Sequence, residues 1–224
     1  MKISIVKLGL IEYMKALEIQ TELVAMRRQG QIGDILLLLE HPPVITVGAG
    51  GDRTNIVASD DILKAEGAEV VQINRGGDVT YHGPGQIVGY PIFDLSGYGR
   101  DIHEFVSKIE ETFISLLGED FGIEAGRKPK FTGVWVGDDK ITAIGIAVKH
   151  WVTMHGFAFN VNTRLEHFKW IVPCGIVGKG VTSLEKLLGR TSDMDRMMDS
   201  VARHFCDVFD IEYEYMDKDE LICR

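Results

Sequence analysis

Hydrophobic and polar positions divide the chain into short alternating stretches and a few with helical spacing. Ile3 to Leu8 alternates as a strand does. Leu10, Met14, Leu17 and Val24 lie at spacings that suit one apolar face of a helix ending near Gly30. Asp34 to Glu40 encloses the aliphatic run Ile35 to Leu39 and predicts a buried central strand. His41-Pro42-Pro43 stops it, because proline has no N–H to give to a ladder. Val44 to Val47 resumes extended structure, and Gly48-Ala49-Gly50-Gly51 reads as a turn poor in side chains. Ser59 is placed to cap a short helix, with Asp60 and Asp61 in the first turn where the helix dipole favours acids.

Further along, Val70 to Ile73, Val79-Thr80-Tyr81 and Gln86 to Ile92 read as strands. Asp101 to Leu117 carries Ile102, Phe105, Ile109, Phe113 and Leu116 at helical spacing. Phe131 to Val136 and Lys140 to Val148 flank Gly137-Asp138-Asp139 as a hairpin, and Thr153 to Val161 follows as a third strand. Trp170-Ile171-Val172 is strand-like and runs into an irregular loop. Ser192 is expected to cap a helix with Met194, Met198, Val201, Phe205 and Val208 on one face, and Glu212 to Tyr215 to close as an edge strand. Strands clustered in sequence with helices inserted predict an α+β fold, one domain over 1–224 with a mixed sheet flanked by helices.

Composition narrows the function classes. A net charge of -9 argues against generic nucleic-acid binding, although Arg127-Lys128-Pro129-Lys130 is a local basic spot. Cys174, Cys206 and Cys223 are too few and odd in number for a disulfide framework. Lys2 and Lys7 bracket a run too short for a signal segment, and Ile35 to Leu39 is far short of a membrane span. A reducing cytoplasm and no membrane are expected.

The stretch Arg75-Gly76-Gly77-Asp78-Val79-Thr80-Tyr81-His82-Gly83-Pro84-Gly85-Gln86 breaks the rules of a packing element. Its glycines let backbone approach a ligand closely, and Arg75, Tyr81 and His82 supply polar reach. Cys174 lies in a loop between Pro173 and Gly175 and is the candidate nucleophile, whereas Cys206 occupies a helical slot. A cation or base must ionise such a thiol, and His41, His82, His155, Lys140 and Lys179 are the candidates. Ala143 and Gly145 share one strand face, and Gly156 and Ala158 repeat the pattern on the next strand. Side by side they would form a smooth floor for an acyl chain or another flat apolar group. The histidines and Cys174 are widely scattered, without the short paired spacing of a zinc site, and the glycine stretches lack a phosphate-loop pattern.

These residues carry a resemblance. The stretch from Arg75 to Gln86, with Tyr90-Pro91-Ile92, resembles the signature of the octanoyltransferases of lipoate biosynthesis (the lipoyl(octanoyl) transferase, type B family). Glu40-His41-Pro42-Pro43-Val44, Gly133-Val134-Trp135, Lys140-Ile141, His155-Gly156, Asn160-Val161, Ile171-Val172-Pro173-Cys174-Gly175-Ile176 and Val181-Thr182-Ser183-Leu184 continue the match in order. The resemblance implies the biotin/lipoate ligase and transferase fold. It also implies transfer of an octanoyl group from octanoyl-acyl carrier protein to a specific lysine of a lipoyl domain, the first step of endogenous lipoate biosynthesis. The acceptors would be the lipoyl domains of 2-oxoacid dehydrogenase complexes and the glycine cleavage H protein, with no cofactor or metal. By the same resemblance Cys174 carries the acyl group as a thioester and Lys140 lowers its pKa. The substrate-binding segments fall on Arg75, Gly76, Gly77, Asp78, Val79, Thr80, Tyr81 and His82, on Ala143, Ile144 and Gly145, and on Gly156, Phe157 and Ala158.

Two rivals remain. An ATP-dependent ligase of the same fold would share the glycine-rich segment and the lysine but would need no thiol at Cys174. A non-catalytic module that binds acyl carriers would keep the floor strands without needing Lys140 and Cys174 together.

Overall fold

The computed structural model describes residues 1–172 and 179–222. Cys174 and Cys223 therefore lie outside the described residues. The chain runs β1 (Lys2–Leu10), α1 (Tyr13–Arg28), β2 (Ile35–Glu40), β3 (Val44–Val47), α2 (Asp60–Ala65), β4 (Glu69–Gln72), β5 (Val79–His82), β6 (Gln86–Ile92) and α3 (Ile102–Phe121). It continues through β7 (Gly126–Lys128), β8 (Phe131–Val136), β9 (Asp139–Lys149), β10 (Val152–Asn160), β11 (Gly180–Val181), α4 (Leu184–Leu188), α5 (Met194–Phe209), β12 (Glu212–Tyr215) and α6 (Lys218–Ile222).

Among the described residues the large sheet has the order β12-β1-β2-β6-β10-β9-β8-β7, with β11 added to β9, and a small sheet has the order β4-β3-β5. The large sheet is mixed. β1 runs parallel to β2 and β12, whereas β2, β6, β10, β9, β8 and β7 pair antiparallel in turn. One face is covered by α3 and α5, whose Phe105, Ile109, Phe113, Val201 and Phe205 meet Leu36, Leu38, Ile87, Phe157 and Phe159 of the sheet. The other face carries α1, packed on Leu37, Leu39, Val88 and Ala158. This is the α+β arrangement expected from the order of elements.

Caps follow the local chemistry. Ser59 Oγ accepts from Ile62 N–H at 3.4 Å, and Asp101 accepts from His103 and Glu104 at the start of α3. Gly122 ends α3 in the left-handed conformation at φ 66°, where glycine has no side chain to oppose it.

Four details differ from the pattern reading. Leu10 and Met14 are exposed, and α1 instead buries Tyr13, Ala16, Gln20, Leu23 and Val24; Tyr13 packs with Val44 and Ile73 at the cavity edge, and Gln20 Oε1 accepts from His155 N–H at 2.8 Å. Asp193, not Ser192, caps α5 by accepting from Arg196 N–H at 3.0 Å; Ser192 is held by Asn162 instead. Trp170 ends a 3-10 turn, Leu165–Trp170, and Ile171 makes only an isolated bridge to Ile56. The short elements β7 and α4 carry no periodic signal and were not expected.

Candidate active site

The site forms where β8 leaves β9. β8 pairs with β9 only between Val134↔Thr142 and Val136↔Asp139. Beyond Thr142 the glycine-rich segment takes over that edge, with Gly76 N–H donating to Ile146 C=O at 3.2 Å. A Cβ on Gly145 would stand 2.8 Å from Gly76 C=O, so the two backbones meet this closely only because both residues lack side chains. A cavity of about 660 Å³ opens beside this contact.

β9 and β10 supply its floor. The register sets Gly156 opposite Gly145 and Ala158 opposite Ala143, and all four line the cavity together with Ile144 and Phe157. From the glycine-rich segment and β5, Arg75, Gly76, Gly77, Val79, Thr80 and His82 line it. Asp78 and Tyr81 do not. The Asp78 carboxylate accepts from Asn55 Nδ2 at 2.6 Å and Asp52 N–H at 3.1 Å. Tyr81 points to the opposite side of β5, where its hydroxyl pairs with His167 Nδ1 at 2.7 Å.

Arg75 is buried, and its guanidinium donates to Thr46 C=O at 2.8 Å, to Thr46 Oγ1 and to Gly76 C=O. Charge buried this way is held by fixed dipoles rather than by water. Lys140, at the start of β9, lines the cavity and donates through Nζ to Thr132 C=O at 2.9 Å. Its Nζ also sits 4.9 Å from the centre of the Trp135 ring, a favourable position for a cation. Its stem passes Gly133, whose φ of 124° and lack of a Cβ leave the room. Glu110 of α3, another lining residue, fixes that corner by accepting Gly133 N–H at 2.9 Å and Arg127 Nε at 2.9 Å.

The histidines that the sequence scatters come together in space. The His41 and His82 rings lie 5.9 Å apart, and Tyr13 stacks on His82 at 6.2 Å. Burial lowers the His41 pKa to about 4 against the opposing bond to Ile11 C=O. Burial, reinforced by His41, Arg75 and His155, lowers His82 to about 3. Burial and then Arg75 lower His155 to about 4. Burial raises the Tyr13 and Tyr90 hydroxyls above their ordinary range. Tyr13, His82, Tyr90 and His155 thus line the cavity as neutral polar groups beside the Arg75 guanidinium, and Glu110, Lys130 and Lys140 line it as well. No group of His, Cys, Asp and Glu able to hold a metal ion occurs among the described residues.

The described flanks of the segment that carries Cys174 are held at two places, one on Asn55 and one on Lys140. On one side Val172 N–H donates to Asn55 C=O at 2.7 Å, and Asn55 is the residue Asp78 holds. On the other side Val181 of β11 pairs with Lys140, and Thr182 N–H donates to Lys140 C=O at 3.0 Å. Pattern reading missed Tyr13, Tyr90, Glu110 and Thr132 as lining residues. None lies in a glycine-rich or otherwise irregular stretch, so only their convergence in space marks them.

The fold is that of lipoate and biotin protein ligases. It matches lipoate-protein ligase A bound with ATP at a TM-score of 0.77 and 15% identity, covering 99% of this chain and 91% of that one. It matches the bi-partite lipoate protein ligase of Thermoplasma acidophilum at 0.76 and 17%, covering 99% and 89%. The lipoyl protein ligase A/B catalytic domain profile matches residues 12–206. The octanoyltransferase of Caldicellulosiruptor bescii is 57% identical over 222 residues, covering 99% of this chain and 97% of its own. That of Desulforamulus reducens is 54% identical over 221 residues, with the same coverage. The chain belongs to the lipoyl protein ligase A/B catalytic family and, within it, to the octanoyltransferases; it is an acyltransferase. No helix among the described residues is long and apolar enough to cross a membrane.

Proposed function

We propose that the protein transfers an octanoyl group from octanoyl-acyl carrier protein to a lysine of a lipoyl domain through a thioester on Cys174. The observation that carries this reading is the attachment of the flank that follows the Cys174 segment to Lys140, with Val181 paired to it and Thr182 N–H on its carbonyl. The Lys140 ammonium favours the thiolate of Cys174. The thiolate attacks the donor carbonyl, and the carrier thiol leaves. One thioester is exchanged for another, so this step is nearly balanced. The lysine amine of the acceptor then takes the acyl group, and formation of the more stable amide drives transfer without ATP. The floor of Ala143, Gly145, Gly156 and Ala158 presents little side-chain bulk to the acyl chain. A cavity of about 660 Å³ is of the size that holds a small ligand. Arg75, Gly76, Gly77, Val79, Thr80, His82, Ile144 and Phe157 complete the substrate wall. Asp78 and Tyr81 act from behind it. The acceptors are the lipoyl domains of 2-oxoacid dehydrogenase complexes and the glycine cleavage H protein, and the setting is the cytoplasm.

The ligase fold supplies the rival. Octanoyl-acyl carrier protein alone should add one octanoyl mass to the enzyme, removable by hydroxylamine and absent in Cys174→Ala, and should acylate a lipoyl domain. Labelling of the lipoyl domain by free octanoate with ATP and magnesium, but not by the carrier thioester, would establish a ligase instead.

A further inference from the structure

The cavity has two ends of different character. Tyr13, His82, Tyr90, His155 and Phe157 close a buried end, whereas Ile102, His103, Ser107, Lys130 and Thr132 stand exposed at its mouth. Lys140 is half-buried, and its ammonium rests on Thr132 C=O on the mouth side. An acyl chain held at the buried end therefore leaves its carrier's arm to run out between α3 and the β7–β8 hairpin.

Lys130 is the unusual residue at that mouth. Lys128 pairs with Phe131, so Pro129 and Lys130 are the two central residues of a tight hairpin turn. Lys130 takes φ 70°, the left-handed conformation that glycine favours at the position after a turn proline. There the Cβ of any other residue crowds the backbone. Its basic neighbours are already paired: Arg127 with Glu110 and Glu111 at 2.9 and 2.8 Å, and Lys128 with Asp138 at 2.6 Å. Among the described residues Lys130 has neither an ion pair nor a hydrogen bond. On a chain of net charge -9, an unpaired cation is thus kept in a strained turn at the entrance to the cavity. Around it the mouth is part apolar, with Ile102 39% exposed and Val106 and Phe131 half-buried.

We propose that Lys130 receives the phosphodiester of the donor's prosthetic arm, and that the mouth between α3 and the β7–β8 hairpin holds the arm itself. This rests on the transfer reading above. An acyl carrier presents its thioester on a phosphopantetheine arm, in which two amides separate the sulfur from a phosphodiester at the carrier surface. The groups of the cavity stand in the same order. The acyl chain meets the buried floor, and the thioester comes to Lys140. The amides then pass His103, Ser107 and Thr132, whose side chains offer hydrogen bonds. The phosphodiester meets Lys130, which lies two residues of strand and a four-methylene stem beyond Thr132. A lysine ammonium is a compact point charge suited to phosphate. The acceptor's lysine brings only methylenes and an amine through the mouth, so an unpaired cation there serves the donor.

The test uses two small donors that differ only in the phosphate, octanoyl phosphopantetheine and octanoyl pantetheine. Acylation of the enzyme by each is followed by intact mass. Lys130→Gly removes the charge and supplies the residue the turn favours, so Tm should stay within about 4 °C of native. A larger fall would make Lys130 a support of the fold and count against the proposal. The native enzyme should prefer the phosphorylated donor in kcat/KM, and Lys130→Gly should cut that preference about fivefold, the size of an exposed charge pair. Lys130→Arg should keep most of it. An unchanged preference in Lys130→Gly would overturn the proposal. That holds even if acylation by octanoyl-acyl carrier protein slows, because Lys130 would then meet carboxylates on the carrier surface. A rise in the lipoyl-domain KM as large as the donor effect would also overturn it, since the mouth would then serve the acceptor. Failure of the native enzyme to acquire any octanoyl mass from octanoyl-acyl carrier protein would overturn the transfer reading itself, a result distinct from an acylated enzyme indifferent to the phosphate.

Discussion

Replacing Gly145 by alanine pushes the cavity floor against the glycine-rich segment. The new Cβ would stand 2.8 Å from Gly76 C=O and 3.4 Å from Arg75 Cδ. A carbon and a carbonyl oxygen settle at roughly 3.3 Å or more, so the segment must retreat by about 0.5 Å. The Gly76 N–H to Ile146 C=O bond, already 3.2 Å, lies in the path of that retreat. Its loss costs about 1 kcal/mol, paid as displacement of a loop while the sheet stays intact. Gly156→Ala is the contrasting case. Its Cβ would fall 2.0 Å from Gly89 C=O and 2.7 Å from Pro91 Cδ, inside the β6–β10 pairing, where neither strand can withdraw. Overpacking of this kind costs about 3 kcal/mol or more, which lowers Tm by about 6–12 °C for a chain of this size. Thermal melts and initial rates against octanoyl-acyl carrier protein concentration read both effects. Gly145→Ala should keep Tm within about 4 °C of native and raise the donor KM by about fivefold, the equivalent of about 1 kcal/mol. A native KM in Gly145→Ala, or a larger Tm loss there than in Gly156→Ala, would refute the reasoning.

Cys174→Ala should abolish transfer, whereas Cys206→Ala should retain it, since burial on α5 pushes the Cys206 thiol up to about 12. Lys140→Ala should slow iodoacetamide labelling of Cys174 at neutral pH by about tenfold per unit rise in thiol pKa; an unchanged pH profile would assign the activation elsewhere. Lys140→Arg should label well and transfer poorly, because the guanidinium keeps the charge but its planar bulk does not reproduce the ammonium's geometry beside Thr132 and Trp135. Asp78→Ala frees Asn55, and through it Val172, so acylation should lose kcat with little change in donor KM; a purely KM effect would make Asp78 a substrate contact. Stability should fall on acidification below about pH 6.5. His41, His82 and His155 take up protons there when unfolded but when folded only near 4, 3 and 4, so the unfolded state binds more protons across that window. Each contributes up to about 1.4 kcal/mol per pH unit, and urea midpoints equal at pH 7 and pH 5 would contradict this.

Strands and long helices were legible in the chain because burial imposes a period. The aliphatic run of β2 and the spacing of α3 left no competing arrangement, and the glycines of the Arg75 stretch and of β9 and β10 announced a close backbone approach. Local chemistry also told where Cys174 and Lys140 stand in the chain. Other features depended on distances between residues far apart in sequence. Tyr13 and Gln20 disrupt the apolar stripe of α1 because that helix turns them towards the cavity and His155. Asp78 and Tyr81 sit in the binding motif, yet alternation along β5 and the turn before it directs their side chains to Asn55 and His167. The three histidines look unrelated in sequence; the pairing of β3 with β5 brings His82 opposite Val44, close after His41, and the pairing of β6 with β2 and β10 brings β10, which carries His155, into the same sheet as β2. Sequence thus determined which segments fold and which residue types could do chemistry, since propensity and periodicity act over a few residues. Tertiary structure alone decided which of those residues share a cavity, and so which are neutral, because desolvation depends on everything packed around a group.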